Sequence, residues 1–466
     1  MKQPNIVWLT MESTRFDHTS MGGYYRNTTP NIQKIANDSF GVSFSSCMAN
    51  ATWTLPSSAS ILTGNYPSYH KAGMGNGAIP NDLPTLPEKL EEAGYATSCF
   101  STHSYLSPGT NLDRGFTDFH WLTKSNILNE IGMKPFIKYL FNIRSCGGGL
   151  SLETNRHKTD FLLLEAAKDD ISELSKQKRP FFQYVHLVSP HHPYQPPIPF
   201  IKEIVNGTDL DAGEVMKTSS WMHENFHQLI ADGLDLSENE RNSIIAAYDA
   251  EIKYTDYLIG ELFDYIQENI SEETLLVITS DHGEFFGERG MLSHKIALDD
   301  PVHHVPLVIH GMNSEYIEEG QLIQHIDVTR TVAELANANT TPFHGHDFRE
   351  KDRDFAVIQQ SDSSTRVHFE KLEELNPEFD RTQYHQGDVD VIRDDDYKYI
   401  SSKTKEELRS ITGSEEQVIE DPQKLEEYSV KLKQFLSEYG GSYSDSEYSG
   451  DYSSKMEQQL ENLGYL

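Results

Sequence analysis

Thr54 places a hydroxyl group where a helix should begin. The surrounding segment, Trp53 to Gly64, reads WTLPSSASILTG. Pro56 suits the first turn of a helix because it has no N–H group to leave unpaired, and Gly64 can end the helix. A helix N-terminus presents unpaired N–H groups and a positive dipole end, which stabilise a tetrahedral oxyanion. The segment therefore offers Thr54 as a nucleophile beside an anion site; an ordinary capped helix is the alternative.

Two other segments place acidic and imidazole groups at the ends of predicted strands. The apolar run NIVWLT, residues 5–10, predicts a buried strand, and Glu12 follows it closely. The run LLVIT, residues 275–279, predicts another, and Asp281 and His282 follow that one. Open α/β sheets build their sites at the carboxyl ends of their strands. Two carboxylates and an imidazole suit Zn or Mn, so these three side chains are predicted metal ligands.

Seven stretches resemble the sulfatase family of the alkaline phosphatase superfamily, in family order from about residue 3 to residue 340. They are PNIVWLTMESTRFDH, TTPNIQKIA, WTLPSSASILTG, SPHHPYQPP, YDAEIKYTD, TSDHGEFFGERG and VPLVIHG. The resemblance implies an α/β fold with a doubly wound, mostly parallel central sheet flanked by helices. We expect a catalytic domain over residues 1–345 and a smaller C-terminal α+β subdomain over 346–438. An acidic low-complexity stretch and a C-terminal helix should occupy 439–466.

The nucleophile motif departs from the sulfatase pattern. Sulfatases carry C/S-x-P-S-R, whose first residue is oxidised to formylglycine, whereas this chain has Thr54 in the first position and Ser58 in place of the arginine. Threonine cannot yield that aldehyde because its β-carbon carries a methyl group. The set of Glu12, Thr54, Asp281 and His282 instead resembles lipoteichoic acid synthases and related phosphoglycerol transferases, in which a metal-bound threonine attacks a phosphodiester.

This second resemblance implies the chemistry. One divalent ion (Mn, Zn, Ca or Mg), with Thr54 among its ligands, would activate the threonine hydroxyl for attack on a phosphate ester. That ester would be a diester or a phosphate linked to a glycan. A covalent phospho-Thr54 intermediate would then pass its phosphoryl group to water or to an alcohol. Two alternatives stay open: true sulfate-ester hydrolysis, and a catalytically weak relative that binds a glycan.

Several further residues match positions that relatives use. His191 lies where relatives place a substrate-contacting histidine, and His294 lies where they carry a histidine or lysine near the leaving group. Both are expected to protonate the departing alkoxide, because imidazole titrates near neutral pH. His192 and Lys295 are expected to contact the substrate.

Two pairs of charged residues have expected roles outside direct catalysis. Arg15 and Asp17 match a family pattern, and we expect them to form an ion pair that orients Glu12. Asp249 and Asp256, in YDAEIKYTD, could serve a second metal ion. Their helical spacing favours solvated or capping roles instead.

The pattern of apolar residues predicts the elements that must position these groups. The predicted elements are helices over about 160–176 and 240–269, a strand at FFQYVHLV, and a strand of a small antiparallel sheet at 394–400. Residues 205–240 carry Trp221, His223 and His227 and are interpreted as an insertion that shapes substrate choice. Asp327 is predicted to cap the helix that follows it.

The net charge of the chain restricts the class of molecule that it can bind as a partner. The chain has 72 acidic and 39 basic residues and a net charge of −33, spread along its length as in salt-adapted proteins. This charge argues against nucleic acid or an anionic membrane as the main partner, because counterion release needs clustered Lys and Arg. The expected partner is a small-molecule or glycan phosphate or sulfate ester, bound by local charges. The sequence does not indicate the oligomeric state.

Cysteine usage and hydropathy suggest a cytoplasmic location. Cys47, Cys99 and Cys146 form an odd, sparse set without a CxxC pair, which is typical of reduced thiols. No run approaches the roughly 18 apolar residues that a transmembrane helix needs, and no charged leader precedes the first apolar run.

Overall fold

The computed structural model describes residues 3–123, 126–147, 158–312, 317, 320–413, 415–441, 443 and 450–462. The strands are β1 (Asn5–Met11), β2 (Gly41–Met48), β3 (Ala96–Ser101), β4 (Asp118–Trp121), β5 (Phe181–Leu187), β6 (Thr274–Ser280), β7 (Phe285–Phe286), β8 (Leu292–Ser293), β9 (His304–His310), β10 (Leu322–Gln324), β11 (Ala356–Gln360), β12 (Val389–Arg393), β13 (Tyr397–Ser402), β14 (Glu406–Thr412) and β15 (Glu415–Val418).

The helices surround and connect these strands. They are α1 (Pro30–Ala36), α2 (Thr54–Thr63), α3 (Pro67–His70), α4 (Leu86–Glu92), α5 (Ile127–Ile131), α6 (Met133–Asn142), α7 (Asp160–Leu174), α8 (Ile198–Ile204), α9 (Ala212–Ala231), α10 (Glu238–Asn269), α11 (Asp300–His303), α12 (His325–Leu335), α13 (Asp362–Leu375), α14 (Pro422–Tyr439) and α15 (Ser454–Asn462).

The central sheet has eight strands in the order β10-β2-β9-β6-β1-β5-β3-β4. Strands β6, β1, β5, β3 and β4 run parallel, whereas β9 is antiparallel to both of its neighbours. Alternate residues of β1 enter different cores: Ile6 and Trp8 pack with α2, and Val7 and Leu9 pack with α7 and α10. Helices therefore cover both faces, which confirms the predicted mostly parallel, doubly wound α/β fold.

The sheet register brings three strand ends to one place. Met11, the last residue of β1, pairs with Leu187 of β5 on one side and with Ser280 of β6 on the other. The residues that follow these strands therefore leave the sheet side by side at its carboxyl edge. This edge is where the predicted ligands Glu12 and Asp281 lie.

The predicted elements are largely confirmed. The expected helices at 160–176 and 240–269 are α7 and α10, and the expected strand at 394–400 is β13. The stretch 205–240 contains the 20-residue helix α9. Asp327 caps α12 as expected, because its carboxylate accepts a hydrogen bond from Gln324 N at 2.9 Å.

A second, five-stranded sheet, β11 to β15 in sequence order, is antiparallel throughout. It packs with α14 around a core that includes Tyr399, Tyr428 and Leu432. Its first strand reaches the central domain, since Gln360 Nε2 donates to Lys295 O at 3.0 Å. The domain boundaries at residues 345 and 438 stay a prediction.

Three further expectations concern the termini, the thiols and membranes. Residues 442 and 444–449 of the acidic stretch predicted at 439–453 lie outside the described residues, and α15 follows the stretch where a C-terminal helix is predicted. Cys47, Cys99 and Cys146 are buried and form no disulfide. Every helix in the described ranges is too short or too polar to cross a lipid bilayer.

Candidate active site

Glu12 lies at the centre of a fully buried cluster at the carboxyl edge of the sheet. Thr54 Oγ1 donates a hydrogen bond to Glu12 Oε1 at 2.7 Å. His186 Nε2 lies 2.6 Å from Glu12 Oε2, and His282 Nε2 lies 3.3 Å from Oε1. Burial alone would raise the pKa of Glu12, but His103 and the hydrogen bonds from His186 and His282 hold that pKa well below its usual value.

Thr54 is the first residue of α2, as predicted. Trp53 is the N-cap in an extended conformation, and Gly64 ends the helix with φ 64° in the left-handed region. The Oγ1 atom of Thr54 also lies 3.5 Å from His282 Nε2. The candidate nucleophile therefore combines a helix N-terminus with contacts to a carboxylate and an imidazole.

Asp281 and His282 complete the cluster from the end of β6. Asp281 Oδ1 accepts hydrogen bonds from Ser13 N at 3.0 Å and His282 N at 2.9 Å. Asp281 Oδ2 accepts no hydrogen bond from any described residue and lies 3.4 Å from His282 Nε2. Burial, followed by the charge of Glu12, raises the pKa of Asp281 to about 7.

The donor set fits a divalent metal ion. Glu12, His186 and Asp281 each offer one ligand atom, and these three atoms lie within 4.8 Å of one another. Two buried carboxylates side by side repel each other, and a cation between them would remove that repulsion and satisfy Asp281 Oδ2. Carboxylate, imidazole and hydroxyl donors together suit Zn or Mn.

His186 is the ligand candidate that the sequence analysis missed. It lies in β5, inside the run FFQYVHLV, where a histidine looks like part of the core. Its position at the carboxyl end of a buried strand is the signal that could have found it, because an ionisable side chain there faces the site edge. Glu284 and His103 also belong to the surroundings of the cluster and were not singled out.

The structure brings the four downstream candidates to this cluster. The rings of His191 and His192 stack with centroids 4.4 Å apart, and the His294 ring lies 4.2 Å from that of His282. His294 Nδ1 lies 3.1 Å from Glu284 Oε1, which holds the ring in place. Burial is the largest cause that lowers the pKa of Lys295, to about 7.

His191 and His294, the two histidines expected to act as general acids, are buried, and burial changes their pKa. Burial lowers the pKa of both His191 and His294 well below 6.5, so their imidazoles are neutral at neutral pH. A neutral imidazole must gain a proton before it can act as a general acid. Burial is the largest cause that raises the pKa of Glu284, beside His294 Nδ1, to about 8, so this carboxyl group is largely protonated at neutral pH.

The contacts of Arg15 correct one expectation. Its guanidinium forms the predicted ion pair with Asp17, at 2.8 and 2.7 Å. Its Nη1 atom, however, donates to Glu284 O at 3.1 Å and to Glu288 Oε1 at 2.7 Å. The pair thus holds the turn that follows β6, while Thr54 and His186 orient Glu12.

Asp249 and Asp256 are engaged away from the cluster. Asp249 lies 2.8 Å from His18 Nδ1 and 2.6 Å from Arg26 Nη1. Asp256 accepts hydrogen bonds from Asn31 N at 3.1 Å and Ile32 N at 2.8 Å, at the start of α1. The capping alternative is confirmed for Asp256. Both carboxylates are buried rather than solvated.

Comparison with known proteins identifies the family to which this chain is similar. The sulfatase family model matches residues 4–338. An uncharacterized sulfatase of Escherichia coli (strain K12), YidJ, is 24% identical over 351 residues, covering 72% of this chain and 68% of that protein. The choline-sulfatase of Rhizobium meliloti (strain 1021) is 26% identical over 326 residues, covering 66% of this chain and 62% of that protein.

Solved structures share the fold. The phosphonate monoester hydrolase SpPMH from Silicibacter pomeroyi superposes with a TM-score of 0.67 at 17% identity, covering 94% of this chain and 96% of that one. A 2-O GAG sulfatase, BT1596, superposes with a TM-score of 0.65 at 16% identity, covering 94% of this chain and 93% of that one.

Proposed function

This chain belongs to the sulfatase family, and we propose that it is a metal-dependent enzyme that cleaves phosphate esters through a covalent phospho-Thr54 intermediate. One observation carries the proposal: Thr54 Oγ1 lies at the N-terminus of α2 and 2.7 Å from Glu12 Oε1, within the buried metal-ligand set. The proposed substrates are small-molecule or glycan phosphate esters, including diesters and glycan-linked phosphoglycerol.

The reaction has two displacements at phosphorus. In the first, Thr54 Oγ1 forms a bond to phosphorus, its proton leaves toward Glu12, and the bond to the leaving oxygen breaks. His191 or His294, after taking up a proton from solvent, gives that proton to the leaving oxygen. In the second, water or an acceptor alcohol attacks phosphorus and Thr54 regains its hydroxyl. If water accepts the phosphoryl group, the protein is a hydrolase. If an alcohol accepts it, the protein is a phosphotransferase.

Charge stabilisation accounts for most of the catalysis in such transfers. Glu12, His186 and Asp281 would hold a divalent ion, and the ion would supply Lewis-acid chemistry: a lower pKa for a nearby hydroxyl and neutralised charge on the phosphoryl oxygens. The first N–H groups of α2 face an anion at the helix N-terminus. Buried surroundings strengthen each of these interactions.

Phosphate is favoured over sulfate because of the nucleophile. Thr54 cannot form the aldehyde on which sulfatases depend, and Ser58 stands where they carry arginine. Sulfate-ester hydrolysis is the second candidate, because the relatives named above include a choline-sulfatase and a GAG sulfatase. Glycan binding without turnover is the third, and the same assay separates all three.

The test is turnover by the purified protein with Mn, Zn, Mg or Ca on p-nitrophenyl phosphate, bis-p-nitrophenyl phosphate and p-nitrophenyl sulfate. We expect a phosphate ester to be cleaved fastest and Thr54→Ala to lose at least about a thousandfold in kcat/KM. Thr54→Ser, which keeps a hydroxyl, is the matched control. Mass spectrometry of trapped protein should find a phosphate on the Trp53–Gly64 peptide. Undiminished turnover by Thr54→Ala would end the covalent mechanism.

We also propose a cytoplasmic location. Its support is that Cys47, Cys99 and Cys146 are buried thiols without disulfides, which is the usual state in a reducing compartment.

A further inference from the structure

Four histidines form a row that leads away from the candidate active site; we call it the histidine row. It consists of His192, His223, His227 and His368. His223 and His227 lie one turn apart on α9, and His368 lies on α13. His192 is buried, whereas the other three are half-buried. The row therefore runs from the buried cluster toward the surface.

Close contacts join the members of the row. His192 Nδ1 lies 2.8 Å from His223 Nδ1, and His227 Nε2 lies 3.4 Å from His368 Nδ1. The buried ring of Phe226 connects the two pairs, with its centroid 5.5 Å from His192 and 3.9 Å from His227. The row is thus one continuous feature of the molecule.

The row begins at the site where the reaction is proposed. His192 stacks on His191 at 4.4 Å, and its ring lies 6.4 Å from that of His294. His192 Nε2 also lies 3.4 Å from Ser293 Oγ. A substrate that reacts at Thr54 therefore has this row within reach on one side.

The charges around the row are positive in a chain whose net charge is −33. Burial lowers the pKa of His227 to about 4, and the charges that lower it further belong to Lys371 and Lys295. Burial likewise lowers the pKa of His368 to about 3, with Lys295 and His227 adding to the effect. At neutral pH the row thus offers imidazole N–H donors near two lysines, of which Lys295 is only partly protonated.

Imidazole donors near lysine charges suit an anion, since charge-assisted hydrogen bonds to oxyanions are the strong ones. A metal ion would need three or more donor atoms close together. In the described residues, the group with that spacing is Glu12, His186 and Asp281, and the row contributes none of its members.

We propose that the histidine row binds a second anionic group of the substrate. The natural substrate is then a polyanionic ester: one phosphate ester reacts at Thr54, while a further phosphate, sulfate or carboxylate accepts hydrogen bonds from His223, His227 and His368. Lys295, whose charge acts on Glu12 as well as on His227 and His368, attracts both groups. This inference rests on the proposed function and adds the class of substrate to it.

The test compares inert probes with one and two anionic groups. Isothermal titration calorimetry measures the Kd of benzenesulfonate, meta-benzenedisulfonate and naphthalenedisulfonate for the metal-loaded protein. We expect at least one disulfonate to bind the native chain about tenfold tighter than benzenesulfonate. In the double variant His227→Gln, His368→Gln the ratio should fall to about one. His120→Gln, a half-buried histidine on β4, is the matched control and should keep the preference.

Three outcomes would overturn the proposal: equal affinity for all probes, no binding of either disulfonate, or a preference that persists in the double variant. Saturable zinc binding that the double variant loses, without a disulfonate preference, would assign the row to a metal. If the double variant fails to fold by circular dichroism, His223→Gln replaces it. Because sulfonates are not hydrolysed, these results are independent of the turnover that tests the proposed function.

Discussion

At the scale of single residues, His186 changes the candidate site most. Its immediate neighbours in β5, Val185 and Leu187, are buried and apolar, so only its place at the carboxyl end of the strand distinguishes it in the sequence. Parallel pairing with β1 sets His186 opposite Thr10, two residues before Glu12. The imidazole thereby reaches the carboxylate that also accepts the hydrogen bond of Thr54.

Replacing His186 tests its role as a ligand. We expect His186→Gln to weaken binding of Mn or Zn by at least about tenfold, because it removes an imidazole donor from the set. Competition with a chromophoric chelator measures the change. His120→Gln should leave the metal affinity unaltered. An unchanged Kd in His186→Gln would remove this residue from the metal site.

At the scale of elements, the long helix α10 holds the N-terminal segments in place. Asp249 pairs with His18 and Arg26, and Asp256 binds the first N–H groups of α1. These buried carboxylates satisfy donors that would otherwise be unpaired. The motif YDAEIKYTD therefore serves assembly of the fold, which argues against a second metal site there.

Removal of one of these carboxylates should affect stability and not metal binding. We expect Asp256→Ala to lower the free energy of unfolding by about 1–3 kcal/mol, because the buried N–H of Ile32 and the partly buried N–H of Asn31 lose their acceptor. Urea denaturation measures this loss. Asp264→Ala, on an exposed position of the same helix, should have little effect. A tenfold loss of metal affinity in Asp256→Ala would restore the second-site alternative.

A buried ion pair fixes the start of α12. Asp327 accepts a hydrogen bond from Arg353 Nε at 2.7 Å, and both side chains are almost inaccessible to solvent. Burial would raise the pKa of Asp327, but the charge and hydrogen bonds of Arg353 outweigh it and lower that pKa below 3.8. Because the pKa is lower in the folded state, the pair stabilises the fold above the unfolded value and loses this effect as pH falls below it.

Acid denaturation should reveal this pair. We expect Asp327→Asn to cost about 3–5 kcal/mol at neutral pH, since it leaves the Arg353 charge buried without its partner. The native chain should lose more stability than the variant between about pH 5 and pH 3. Urea denaturation at several pH values measures both. Parallel stability curves for the two proteins would contradict this account.

At the scale of the whole molecule, the excess of acidic groups opposes compaction. The net charge of −33 is spread along the chain, so repulsion acts over the whole surface. Salt shortens the Debye length from about 10 Å at 0.1 M to about 3 Å at 1 M. Local groups, such as Lys295 and the histidine row, then decide the binding of an anionic substrate.

Thermal unfolding at increasing salt tests this effect. We expect Tm to rise between about 0.1 and about 1 M salt because screening weakens the repulsion. Calorimetry in NaCl and in KCl should give the same dependence, which would attribute it to ionic strength. A Tm that is flat or falls with salt would contradict the salt-adapted interpretation.

The sequence by itself determined the fold class, the helix that begins at Thr54, and the strand ends that carry Glu12, Asp281 and His282. These features follow from short-range patterns, because strand runs, prolines and helix ends act over a few residues. The tertiary structure alone decided that His186 joins the cluster and that Arg15 holds a neighbouring turn. It also built the histidine row, in which His227 meets His368 from 141 residues away. Such contacts depend on how distant elements pack, and local sequence does not encode that packing.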